Sequence, residues 1–401
     1  MFWQKKLEQW VSDVRERVNL PARLVLWNKQ QFDLGRFTVP QVTLTVNNAS
    51  SLPLLLDPNL SNLGEAYIKG KLQVEGKLSD TIKFGYALAR SMALHPDKLA
   101  KVRRYFTHSK GSDKKAIQYH YDVSNDFYAL WLDANMVYSC AYFEHGNEDL
   151  DTAQLKKIDH ILNKIQLNPG QTLLDVGCGW GALVIRAAQN FGVRCVGITL
   201  SKNQFELAKQ RVEAAGLSDK IDIRLQDYRD VTGQFDRITS VGMFEHVGRK
   251  NLPHYFKQLC TLLNDDGIIM NHGITASDVD SAETALGGGA FIDKYVFPDG
   301  ELSHLGSVIS ALQHGGLEAF DIENLRRHYV RTLESWADNL EHAADNAKKL
   351  VEDEKFRTWR VYLAGCAYAF DHDDMSIYQI MCHKAGQQAA VLPWSRRYMY
   401  K

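Results

Sequence analysis

The sequence predicts an α/β chain: a doubly wound, mostly parallel sheet preceded by a smaller mixed α+β unit. Three observations predict it. From residue 150 onward short β-branched runs alternate with helical stretches, the pattern that builds a parallel sheet with helices on both faces. A Gly-rich octet, Leu174 to Gly181, follows the first of those runs, where a strand gives way to a helix. Charge also divides the chain. Residues 1–115 carry 19 Lys and Arg against 10 Asp and Glu, net +9, although the whole chain is net −1.

Residues 1–18 place Phe2, Trp3, Leu7, Trp10, Val11, Val14 and Val18 at helical spacing, with Lys5, Lys6, Arg15 and Arg17 between them. Such a stripe either packs on a core or touches a membrane surface. Arg23–Trp27 and Val42–Val46 read as strands, with Asn47-Asn48 as a turn, and 64–105 as helix interrupted by Gly70. Lys101 to Lys115 is a basic linker, so the expected domains are 1–100, the linker 101–115, and 116–401. In the last of these, Thr172–Val176, Arg194–Thr199, Ile221–Leu225, Phe235–Val241 and Gly267–His272 read as strands. A helix starts near Ala182, Ser201 caps another that runs to Ala215, and the tail from Arg326 reads as mostly helical.

Composition narrows the class. With 401 residues, 45% hydrophobic, 24% charged, 28 Gly and 9 Pro, the chain is globular rather than disordered, collagenous or coiled-coil. No apolar run approaches the roughly 20 residues of a membrane-spanning helix. Met1 to Glu8 has no unbroken apolar core, so it is not read as a secretory signal. Six Cys without a CxxC spacing suggest reduced thiols in a cytoplasmic protein. The basic front is expected to meet an anionic partner, a phospholipid surface or nucleic acid.

In the octet, Gly177, Gly179 and Gly181 let the backbone turn sharply and approach a ligand, with Asp175 two residues before the first glycine. This GxGxG spacing with its acid resembles the first motif of S-adenosylmethionine-dependent methyltransferases, which have a Rossmann-like sheet. The resemblance implies a cofactor site formed by Tyr138, Ser139, Asp175, Gly177, Cys178, Gly179, Gly181, Thr199, Leu200, Ser201, Gln204, Asp227 and Tyr228. One departure is that no acid ends the second strand to hold the ribose. Hydroxyls or Gln204 must do so, and Gln226 to Asp230 falls where the family contacts adenine.

Four motifs narrow the match: Tyr138 to Phe143, Asp175 to Gly181, Gln226 to Asp230, and Ser240 to Gly248. In this order they resemble the cyclopropane-fatty-acid synthases, which include the mycolic acid cyclopropane synthases. The resemblance covers about residues 115–390, and the front resembles that family's lipid-binding domain in character and size. It implies that the cis alkene of an acyl chain attacks the sulfonium methyl. The resulting carbocation then loses a proton from that methyl and closes a ring. Such a site must exclude water and stabilise positive charge, for which Tyr142, Phe143, Phe244, Tyr295 and Tyr329 are aromatic candidates. The resemblance also implies a bound bicarbonate as base, held by the Cys140 amide, Glu245, His272, the Ile274 amide and Tyr329. Glu245 can take the bicarbonate proton. Cys366 matches a Cys assigned to the family's active site. A thiol has no obvious step in this mechanism, so it is either catalytic or pocket lining.

The resemblance further implies an unsaturated phospholipid substrate at the inner face of the cytoplasmic membrane, peripheral association, a homodimer, and no nucleic acid or metal. An alternative keeps the cofactor but ends in a methyl-branched lipid or a methylated small molecule. Lys294 to Pro298 keeps the family's ending, whereas the Gly287–Gly289 run is looser and bears on acyl-chain selection. Asp371 to Asp374 reads as a solvated loop.

Overall fold

The computed structural model describes residues 2–56, 58–92, 123–279, 288–296, 301–386 and 392–400. The chain forms two compact units. The first gathers Met1–Arg104, Glu283–Val296 and Leu340–Ala369; the second gathers Tyr105–Ala282, Phe297–Asn339 and Phe370–Lys401. This division differs from a single boundary at 101–115, because two stretches of the later chain group with the front. The linker itself, Gly287 and Pro298 lie outside the described residues.

The first unit has a four-stranded sheet in the order β2-β1-β3-β4, formed by β1 (Ala22–Val25), β2 (Gln31–Asp33), β3 (Val42–Val46) and β4 (Leu72–Gly76). The Phe2–Arg17 helix buries Leu7, Trp10, Val11 and Val14 against Leu24, Leu44 and Val46. Its apolar stripe is therefore a core stripe, and these four residues are not available to a membrane. Over its described part, 64–92, the expected helix is two helices, Leu60–Ile68 and Leu78–Met92, with β4 between them; 93–105 lies outside the described residues. Gly70, at φ +67°, ends the first of these where a side chain would be strained.

The second unit is built on a sheet in the order β11-β12-β9-β8-β5-β6-β7. Its strands are β5 (Thr172–Val176), β6 (Arg194–Thr199), β7 (Ile221–Leu225), β8 (Phe235–Val241), β9 (Leu263–Ala276), β10 (Ser303–His304, beside β9), β11 (Leu317–Asn324) and β12 (Met375–Lys384). β5 to β9 run parallel, and β12 is antiparallel to both β9 and β11. The predicted strands fall on β5 to β9, but β9 extends beyond both predicted ends. The tail from Arg326 is mostly helical, as expected, in Arg326–His342, Ala344–Leu350 and Asp353–Asp371, with β12 as the exception; β11, just ahead of it, falls outside the predicted strands. β12 is buried on both faces, so it shows a nearly continuous apolar run and no period of two. The strand order reverses at β5, which opens a crevice at the carboxyl ends of β5, β6 and β8. Apolar clusters on the two faces of the sheet, around Val184 and Ile161 on one side and Phe256 and Leu312 on the other, hold it in place.

All six cysteines are free thiols. No helix among the described residues is long and apolar enough to cross a membrane.

Candidate active site

A cavity of about 140 Å³ occupies the switch-point crevice. Of the residues expected at the cofactor, only Gly181 and Ser201 do not line it. Both act one step behind. Gly181, at φ +85°, starts the Ala182–Phe191 helix, and a Cβ there would meet that of Ala208 at 3.4 Å. Ser201 caps the Lys202–Ala214 helix by accepting from the Gln204 amide. Gly177 and Gly179 have φ of +85° and +54°, which L side chains adopt only under strain. The turn brings the amides of Gly177 and Cys178 to the Ile198 carbonyl, at 3.0 and 2.9 Å.

Asp175 ends up buried on β5, its Oδ1 accepting from the Thr239 hydroxyl at 2.7 Å. Burial pushes its carboxyl up to about 6. In the place of the missing acid, Thr199 Oγ1 donates to Gln204 Oε1 at 2.8 Å. Both side chains line the cavity, and Thr199 Oγ1 also accepts from the Ser201 N–H at 3.1 Å. Asp227 is held by Arg229 through two bonds of 2.8 and 2.7 Å, and Tyr228 is buried beside it.

A second polar cluster lies where β9 meets β12. Glu245 follows β8, and its Oε1 accepts from the Ile274 amide at 2.8 Å. That amide, expected to face an anion, is thus engaged by Glu245 in this structure. Burial pushes the Glu245 carboxyl up to about 7, against the pull of the Ile274 N–H. His272 is buried on β9, and burial holds its imidazole well below the ordinary value, so the ring is neutral. Glu245 Oε2 and both His272 ring nitrogens are buried with no hydrogen-bond partner among the described residues. Such atoms are costly unless a polar ligand meets them.

Backbone links bring the other expected residues to this region. Ile274 pairs with Ile377 of β12, and the Ile377 carbonyl accepts from the Leu325 amide. The Leu325 carbonyl in turn takes the Tyr329 amide at 3.0 Å and the Cys140 thiol at 3.7 Å. Cys366 belongs to the first unit, on the Asp353–Asp371 helix. Burial pushes its thiol up to about 12, so it is a neutral, poor nucleophile.

A run of aromatic rings leads from the cofactor cavity to Tyr329. Trp180 meets Tyr128 at 5.1 Å, Tyr128 meets Tyr138 at 5.6 Å, Tyr138 meets Trp336 at 5.3 Å, and Trp336 meets Tyr329 at 6.0 Å. Of the aromatic candidates, Tyr329 joins this run. Tyr142 instead stacks between His160 and His328, at 4.3 and 4.8 Å, Phe143 lies under Arg331, and Tyr295 falls in the first unit. Phe244 packs against Gly273, where a Cβ would meet its Cε1 at 2.1 Å.

Sequence reasoning missed Lys157, which lines the cavity, is buried, and donates to Ser139 Oγ at 2.7 Å. The signal was present: Ala153, Gln154, Lys157, Ile158, Ile161 and Leu162 form one buried helical stripe. His160 and Lys164, on the same helix, and Glu323, on β11, were missed as well. His160 Nε2 meets Glu323 at 2.8 Å, Lys164 bonds Glu323, and Lys164 also donates to Gln379 at 2.9 Å. Gln379 pairs with His272 across β12 and β9.

Comparison with known proteins agrees with this geometry. The family described as mycolic acid cyclopropane synthetase matches residues 108–380, and a domain of unknown function matches residues 9–97. A probable fatty acid methyltransferase of Pseudomonas putida is 46% identical over 389 residues, 96% of this chain and 98% of that protein. Cyclopropane mycolic acid synthase 1 of Mycobacterium tuberculosis is 36% identical over 276 residues, 67% of this chain and 96% of that protein. Among solved structures, a mycolic acid cyclopropane synthase complexed with SAH and CTAB superposes with a TM-score of 0.64 at 35% identity. It covers 68% of this chain and 98% of its own.

Proposed function

Since the chain belongs to the mycolic acid cyclopropane synthetase family of S-adenosylmethionine-dependent methyltransferases that act on lipids, we propose that it closes cyclopropane rings on unsaturated acyl chains of membrane phospholipids. The observation that carries this reading is the buried set of Glu245 Oε2 and the two His272 nitrogens, none with a partner among the described residues. A transfer to an amine needs no such interior polar pit. A ring closure does, because a proton must leave a methyl group inside a water-free site.

S-adenosylmethionine supplies the electrophilic methyl. The Gly177–Gly181 turn, Asp175, Thr199 and Gln204 would hold it in the cavity. Bicarbonate, if bound between Glu245, His272, Cys140 and Tyr329, would supply the base. A neutral His272 and a phenol can donate to an anion, and a carboxyl near 7 can take up the proton released. The rings from Trp180 to Tyr329 present π faces to developing positive charge. The +9 front would favour an anionic phospholipid surface, and we take the working form to be a homodimer.

The test is mass spectrometry of unsaturated phosphatidylglycerol vesicles incubated with the protein and S-adenosylmethionine, with and without bicarbonate. A gain of one methylene mass in a product that resists alkene cleavage, faster with bicarbonate, is the expected result. A gain that remains cleavable would overturn ring closure. It would favour a second reading, branching methylation, which the name of the Pseudomonas putida relative supports.

A further inference from the structure

Among the described residues lining the cofactor cavity, the Lys and Arg side chains are Lys157 and Arg229. They are differently committed. Arg229 spends its guanidinium on both oxygens of Asp227. Lys157 is only 2% exposed, and among the described residues it forms no ion pair with a carboxylate. Its contact is the Ser139 hydroxyl at 2.7 Å. Of the two acids that act on it from farther away, Asp133 is occupied by the amides of Val137 and Asn135, and Asp175 by Thr239.

An ammonium has three donors and no acceptor, so the direction of the Lys157–Ser139 bond is fixed: Lys157 donates and Ser139 accepts. The hydroxyl's one proton must then point to another acceptor. Ser139 and Lys157 both line the cavity, so this wall presents hydroxyl and ammonium donors and a positive charge. A buried lysine in that state is expensive unless an anion arrives. Burial also pulls its ammonium down to about 8, so an incoming negative charge would hold the proton on it. Asp175, on the same cavity, offers the opposite charge. One cation and one anion lining a single pocket complement a zwitterion, and S-adenosylmethionine ends in an α-amino acid.

We propose that Lys157 is a positioning residue for the cofactor's carboxylate: it turns the Ser139 hydroxyl so that its proton is donated to that carboxylate, and it supplies the countercharge. Without it the adenosine part of the ligand still binds, but the amino-acid end, and with it the sulfur, loses its anchor. The inference rests on the cofactor and not on the acyl acceptor.

The experiment is calorimetric titration of the full-length protein with two probes, S-adenosylhomocysteine and 5′-methylthioadenosine. The second keeps the nucleoside and sulfur but lacks the amino-acid end. Lys157→Met should weaken S-adenosylhomocysteine by about tenfold to a hundredfold, the range of a hydrogen bond to a charged group, and change methylthioadenosine by less than about twofold. Ser139→Ala should show the same contrast and carries the test if Lys157→Met fails to fold. Equal losses for both probes would mean a merely structural lysine, and no loss for either would leave it no role; each overturns the proposal. Failure of the unaltered protein to bind S-adenosylhomocysteine would overturn the cofactor reading and this inference with it.

Discussion

The main-chain N–H of Ile274 donates to Oε1 of Glu245 at 2.8 Å, latching a carboxylate from the segment after β8 onto the neighbouring strand β9. The other oxygen, Oε2, lies 2.9 Å from where a Cβ on Gly273 would sit. Glu245 is thus held at one end and closely bounded at the other, and only a position without a side chain leaves it room.

Burying this carboxyl costs the folded protein stability. Its folded value of about 7 lies above the ordinary 4.5, so the folded state binds the proton more tightly than the unfolded chain does. Stability then declines as pH rises from 4.5 to about 7 and does not recover above that. Glu245→Gln should remove the decline and stabilise the protein at pH 8 by up to roughly 3 kcal/mol, with little effect near pH 4.5. Its turnover should fall by about a hundredfold or more. Urea melts at pH 5 and 8, beside a lipid assay, check both.

Gly273→Ala should separate cofactor binding from chemistry. A Cβ there meets Phe244 at 2.1 Å and Glu245 at 2.9 Å, so the carboxylate must move. Turnover should drop by about tenfold or more, while S-adenosylhomocysteine affinity stays within about twofold. A parallel loss of affinity in calorimetry would show that the two clusters are one.

Behind His272, despite the burial that opposes it, hydrogen bonds and charge from His160 and Lys164 hold Glu323 down at about 2. Glu323→Gln would leave the fully buried Lys164 with only the more distant carboxylate of Asp321, at 4.0 Å. The expected cost is about 3–5 kcal/mol, read as a fall in the denaturation midpoint at pH 7.

Cys366→Ala should keep turnover within about twofold, because a thiol pushed up to about 12 is neutral at working pH. The change should cost about 1 kcal/mol of stability through lost packing. A loss of turnover of a hundredfold with an unchanged melt would restore a catalytic role.

Much of the second unit is legible from sequence because its strands are short, β-branched and separated by helices of clear period. Thr172–Val176, Arg194–Thr199, Ile221–Leu225 and Phe235–Val241 coincide with the expected runs. β2, at three residues, is too short to show a period, and β12 is buried on both faces, which erases one. The motifs revealed the cofactor loop because glycine spacing reports backbone shape directly. Lys157, His160 and Lys164 stayed hidden because charged residues in a helix ordinarily mark its wet side. Here they sit on its buried stripe, and what they face comes from distant parts of the chain.

The chain passes between its two units five times. The front is therefore not a detachable cassette. Gly64 closes on the ring of Phe291, and Tyr67 receives Arg360 at its hydroxyl and Arg357 at its carbonyl. These partners are encoded more than 220 positions downstream, inside the stretch the whole family shares. A gene fragment ending near residue 115 would yield a polypeptide missing part of its own interior. Swapping fronts between relatives would require matched changes at Phe291, Arg357 and Arg360, so the two parts must evolve as a pair.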